Sequence, residues 1–234
     1  MTEGDQRVEV RGARAEVQGR YLLRRSTTED APLLVCLHGY GENAERLLEA
    51  VVEVPVASAW HLVAIQALHP FYNSRTGEVL ASWMTKLDRE AAIRDNTAYV
   101  GAVVGEVKKL LDAEDRPLVY LGFSQGTAMA YRAAFSGDGA GHDCAGVVAL
   151  AGDFPTEIVP REGGAHPRVL IGRGTEDEWY DEAKMENDLA RLSAFEVEVE
   201  TSIFDGGHEW SPEFRSACAD FLRRVSGRDQ VESP

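Results

Sequence analysis

Residues 122–126, Gly122-Phe123-Ser124-Gln125-Gly126, follow the apolar run Leu118-Val119-Tyr120-Leu121. They precede a stretch rich in small residues, Thr127-Ala128-Met129-Ala130-Tyr131-Arg132-Ala133-Ala134. The pattern predicts a short buried strand, a sharp turn and a helix, with Ser124 at the tip of the turn. Sterics account for the glycines: a serine held in a strained strand-to-helix turn leaves no room for side chains two residues to either side. The helix N-terminus behind the serine also directs backbone N–H groups to where an oxyanion would form. Five such residues recur by chance, so the reading depends on whether the chain also supplies an acid, a base and a second oxyanion donor.

The rest of the chain alternates strands with helices. Leu33-Leu34-Val35-Cys36-Leu37 is a continuous apolar run, the mark of a parallel strand buried on both faces. Further strands are expected at 62–65, 147–150, 168–171 and 195–204, and helices at about 44–53, 93–111, 125–137, 181–194 and 213–225. Near the N-terminus, residues 8–10 and 15–17 alternate around Gly12 and suggest a small hairpin, with a strand at 20–24 to follow. The aromatic-rich stretch 69–84 reads as irregular and 160–167 as a loop. Together these predict an α/β protein, a doubly wound, mostly parallel sheet with helices on both faces, in one domain over 1–234. Residues 1–6 and 227–234 are expected to be flexible tails.

Composition narrows the partners. The chain has 24 basic against 39 acidic residues, a formal charge of −15, which argues against nucleic acid and against an anionic membrane surface. No apolar run approaches the roughly 18 residues needed to span a bilayer, so no stable membrane insertion is expected. The polar, acidic start Met1-Thr2-Glu3-Gly4-Asp5 lacks the features of a signal peptide. Cys36, Cys144 and Cys218 are odd in number and widely spaced, which implies neither a disulfide framework nor a zinc site. A cytoplasmic location is the expectation.

A serine hydroxyl attacks a carbonyl only when a histidine takes its proton and a carboxylate orients that histidine. On a strand–elbow–helix scaffold the acid and then the base follow the serine in the chain, each just past a strand end. Asp177 follows the strand at 168–171, and His208, after Gly206-Gly207, follows the last strand. Asp153 is the next candidate acid, while Asp205 shares a loop with His208. Two oxyanion donors are expected: the backbone N–H of Gln125 and that of Tyr40 in His38-Gly39-Tyr40-Gly41. His38 is read as structural.

His38-Gly39-x-Gly41, the Phe123-Ser124-Gln125 elbow, Gly174-x-x-Asp177 and Gly206-Gly207-His208 together resemble the phospholipase/carboxylesterase family of α/β-hydrolases, over about residues 33–222. That family includes acyl-protein thioesterases, lysophospholipases and short-chain carboxylesterases. The resemblance implies an α/β-hydrolase fold without a large lid and a Ser124–Asp177–His208 triad. It also implies an oxyanion hole at Tyr40 and Gln125, no metal and no other cofactor. Trp83 stands where the family carries a tryptophan beside the acyl pocket. The chain departs from the eukaryotic thioesterases at Tyr40, where a smaller aliphatic residue is common.

Phe71, Tyr72, Trp83, Trp179 and Tyr180 fall in loops expected at the C-terminal edge of the sheet and suggest an apolar substrate pocket. His69, Arg75 and Arg173 read as surface residues able to add polar contacts. The expected function is a serine esterase or thioesterase acting on a small-molecule ester or thioester. Two other readings use the same residues: an amidase or C–C hydrolase with the same triad, and a non-catalytic binding protein on this fold. Many compact hydrolases form homodimers, but no interface is identifiable from the sequence.

Overall fold

Strand β1 (Arg20–Arg24) is followed by β2 (Leu33–Leu37), helix α1 (Ala44–Val52) and β3 (His61–Gln66). A hairpin of β4 (His69–Tyr72) and β5 (Val79–Ser82) leads to α2 (Arg89–Leu110). Then come β6 (Leu118–Phe123), α3 (Gln125–Phe135), β7 (Gly146–Leu150), β8 (Arg168–Gly174), α4 (Glu182–Ala194), β9 (Val199–Phe204) and α5 (Pro212–Val225). This computed structural model describes residues 8–13, 15–135, 144–159 and 166–227.

Seven strands form one sheet in the order β1-β3-β2-β6-β7-β8-β9, parallel throughout except for β1, which pairs antiparallel with β3. The central strands β2, β6 and β7 are buried at every residue, as their unbroken apolar runs require. Alternate residues feed two cores. Leu33, Val35 and Leu37 pack with α2, α3 and α4, and Leu34 and Cys36 with α1 and α5. This is the doubly wound α/β-hydrolase fold, and among the described residues no large lid interrupts it.

Helix starts follow capping chemistry. The Asn43 side chain accepts the Arg46 N–H, Asp181 accepts that of Lys184, and Ser211 accepts that of Phe214 with Pro212 at the first helical position. α2 begins four residues before the expected start, because its polar first turn carries no apolar periodicity. β9 is shorter than its alternating pattern suggested, because Phe195 and Glu196 close α4 with N–H bonds to Leu192 and Ser193.

Two expectations are corrected. Residues 8–13 and 15–19 contain no strand; Val8, Val10 and Val17 are exposed, and an isolated ribbon with no face to cover is marginal in water. The stretch 69–84 is not irregular but contains the β4–β5 hairpin, with Phe71 opposite Leu80. The expected tail at 1–6 lies outside the described residues, as do 228–234 and most of the 160–167 loop.

Candidate active site

Ser124 sits between β6 and α3 with φ of +53°, in the left-handed region that non-glycine residues seldom occupy. Its N–H donates to Leu150 O at 2.8 Å, which ties the elbow to β7. A Cβ on Gly126 would lie 1.9 Å from Leu37 O, and one on Gly122 would lie 2.4 Å from Thr127 Cα. Both glycines are therefore required by close backbone approach, as the sequence suggested.

The structure brings Asp177 and His208 together across the ends of β8 and β9. His208 Nδ1–H donates to Asp177 Oδ2 at 2.9 Å. The Asp177 carboxylate is fully buried, and its other oxygen accepts the N–H groups of Trp179 (2.8 Å) and Tyr180 (2.9 Å). Three hydrogen bonds hold this acceptor in one orientation, so the imidazole carries its proton on Nδ1 and leaves Nε2 able to accept. The His208 ring also packs on Phe123, with centroids 5.0 Å apart. The two other candidate acids are placed differently. Asp153 lines the cavity described below but does not bond His208, and Asp205 faces Thr175 Oγ1 at 3.4 Å.

The loop after β2 is braced from within. His38 Nε2 accepts the Ala67 N–H at 3.1 Å, so its proton is on Nδ1, which donates to Gly39 O at 2.7 Å. Burial lowers the His38 pKa to about 4, keeping the ring neutral, and its carbonyl accepts the Trp83 indole N–H at 2.7 Å. This is a structural histidine, as read from the sequence. The Glu42 carboxylate accepts the Gly39 N–H at 2.7 Å, and burial raises its pKa. Among the described residues, the backbone N–H groups of Tyr40 and Gln125 bond to no protein acceptor.

The Gln125 side chain has a role that the motif alone did not disclose. Its amide donates to Met84 O at 2.9 Å, and its carbonyl accepts the Trp83 N–H at 2.9 Å and the Ser82 hydroxyl at 3.2 Å. One side chain thus fixes the segment after β5 against the elbow.

Ser124, His208, Tyr40 and Gln125 all line one cavity of about 630 Å³. Met84, Ala128, Ala151 and Gly152 supply its apolar wall, while Thr85, Lys86, Arg89, Asp153 and Lys184 line it with polar groups. They come from the segments 84–89 and 151–153, from Ala128 of α3 and from Lys184 of α4, and no single motif gathers them in the sequence.

Of the five aromatics expected near the substrate, only Trp179 lines the cavity. Phe71 reaches it indirectly, stacked on Tyr40 with centroids 5.7 Å apart. Tyr72 is exposed on the hairpin outside the lining. Trp83 is fully buried and also outside the lining, because its indole is drawn to His38 O. Tyr180 is likewise internal, with its hydroxyl 3.1 Å from Asp188. Arg173, expected at the surface, is only 6% exposed; it donates to Gly174 O and its Nε has no partner among the described residues. Among the described residues no group of three or more His, Cys, Asp or Glu is arranged to hold a metal ion, and no helix is long and apolar enough to cross a membrane.

Known proteins place this architecture. The fold is similar to that of a carboxylesterase from Mesorhizobium loti, at 22% identity and a TM-score of 0.71, covering 88% of this chain and 95% of that one. It is also similar to the Bacillus cereus carboxylesterase, at 19% identity and a TM-score of 0.68, covering 88% and 94%. For Zea mays acyl-protein thioesterase 2 the values are 18%, 0.71, 90% and 100%. At these identities the likeness establishes the fold. No curated protein is significantly similar in sequence. The model of the phospholipase/carboxylesterase family matches residues 23–226, and the chain belongs to that family of hydrolases.

Proposed function

We propose that the protein is a serine hydrolase that cleaves carboxylic esters or thioesters of small to medium acyl groups through an acyl-enzyme. Ser124 Oγ attacks the substrate carbonyl carbon while His208 Nε2 takes the hydroxyl proton. The carbonyl π electrons move onto oxygen, and the oxyanion is received by the N–H groups of Tyr40 and Gln125. Collapse of the tetrahedral intermediate expels the alcohol or thiol, which leaves with the proton from His208. A water molecule, deprotonated by His208, then attacks the acyl carbon. The carboxylic acid departs and Ser124 regains its proton.

The observation that carries this reading is the 2.9 Å bond from His208 to a fully buried, triply bonded Asp177, on the cavity that holds the elbow serine. The cavity volume suits a compact acyl or alcohol group.

The test is hydrolysis of p-nitrophenyl esters of increasing acyl length by the wild type and Ser124→Ala, together with labelling by a fluorophosphonate. Serine-dependent turnover and labelling are expected. Full activity in Ser124→Ala, or a folded wild type that neither turns over nor labels, would overturn the proposal.

A further inference from the structure

The lining of the cavity runs against the charge of the molecule. The chain carries 39 acidic and 24 basic residues, yet Lys86, Arg89 and Lys184 line the cavity and Asp153 is the single carboxylate among its lining residues. None of the three cations forms an ion pair among the described residues, whereas Arg132 nearby is held at 2.5 Å by Glu157. The Lys184 ammonium is anchored by Trp179 O, which lies in the loop that also lines the cavity.

Helix stability does not explain these positions. Arg89 is the first residue of α2, and Lys184 lies in the first turn of α4. A helix N-terminus is the positive end of the helix dipole and disfavours cations. The acids suited to those turns, Glu90 and Glu182, are not among the lining residues; the cations are. α2 also starts without a side-chain cap, since Asp88 adopts a left-handed conformation and makes no capping bond. The uncapped end of α2 and the start of α3 at Gln125 therefore add two positive helix termini to the three cations.

We propose that the substrate carries an anionic oxygen group, a carboxylate or a phosphate, on its acyl or its alcohol portion, and that Lys86, Arg89 and Lys184 bind it. This rests on the serine hydrolase reading above. A cluster of cations in a partly enclosed cleft raises the local concentration of an anion even when the net charge of the protein repels it. Three donors of this type also orient the ester relative to Ser124, whereas an apolar wall alone leaves a short acyl chain free to turn.

The experiment compares kcat/KM for two matched pairs. One pair is p-nitrophenyl hydrogen succinate and its methyl ester, which places the charge on the acyl side. The other is acetylglycerol 3-phosphate and acetylglycerol, which places it on the alcohol side. The charged member of at least one pair is expected to react about tenfold faster, the advantage given by one charge-assisted contact. That ratio is expected to fall toward one in the Lys86→Gln/Arg89→Gln/Lys184→Gln variant, and to shrink as salt rises from about 0.05 M to about 0.5 M. The pair that responds distinguishes an acyl carboxylate from an alcohol phosphate. Preference for the neutral member in both pairs, or a ratio unchanged in the triple variant, would overturn the proposal while leaving the hydrolase reading intact. Absence of all turnover together with failure of a fluorophosphonate to label Ser124 would remove both.

Discussion

Asp177→Asn is the sharpest perturbation of this site, because it changes one atom of a residue whose every hydrogen bond is accounted for. Oδ1 of the asparagine still accepts the N–H groups of Trp179 and Tyr180, so the loop after β8 keeps its anchor and the fold should change by no more than about 1 kcal/mol. The replaced oxygen is the one that accepts from His208 at 2.9 Å. An amide NH₂ in its place faces Nδ1 with a donor, and the imidazole responds by moving its proton to Nε2. In that tautomer Nε2 cannot accept from Ser124. Restoring the productive tautomer sets two N–H groups against each other and forfeits a charge-assisted bond. The imidazolium formed during attack also loses its counter-charge. Together these amount to about 4–5 kcal/mol, or roughly 10³–10⁴ in rate. The assay is kcat/KM on p-nitrophenyl acetate, with thermal melting to show that the variant is folded. A loss below about tenfold, or a larger loss in Asp153→Asn, would refute the reasoning and move the orienting role to Asp153.

Other perturbations test the supporting structure. Gly126→Ala places a methyl group 1.9 Å from Leu37 O, a clash with backbone that no rotamer relieves, and is expected to cost about 3 kcal/mol or more by denaturant unfolding. Gln125→Ala leaves the Trp83 N–H buried without its acceptor and frees Met84 from the elbow, for an expected loss of about 1–3 kcal/mol and lower turnover. The pH dependence of stability is expected to contain two opposed contributions. Burial lowers the His38 pKa to about 4, so the native state binds fewer protons than the unfolded chain, and this contribution is complete above the ordinary histidine pKa and lost as pH falls through 4. Burial raises the Asp188 pKa to about 6, so the native state there binds more protons, and stability declines as pH rises from about 4 to 6. Asp188→Asn should therefore gain on the wild type across that window; parallel stability curves would show that Asp188 does not titrate as described.

The elbow turn and the core strands were legible in the sequence because each is a local pattern. Gly122 and Gly126 report close backbone approach, and five consecutive apolar residues at 33–37 report burial on both faces. His208 and Asp177 are 31 positions apart; their places after strands were legible, but Asp153 and Asp205 stood as alternatives until the parallel pairing of β8 with β9 brought Asp177 to His208. The pocket was less legible. Aromatic character picked out Phe71, Tyr72, Trp83 and Trp179 alike, and only the path of the chain separates Trp179 on the cavity from Trp83 beneath His38 O.

What the sequence determined by itself is what depends on neighbours along the chain: the elbow, the buried runs and the helical periodicities. Only the tertiary structure decided which side chains share a surface. Gln125 clasping residues 82–84, and Lys86, Arg89 and Lys184 gathered on one cavity of an acidic protein, are such cases. The physical reason is that a single charge or amide in a loop or at a helix start carries no periodicity, and its meaning lies in what the folded sheet brings within a few ångströms of it.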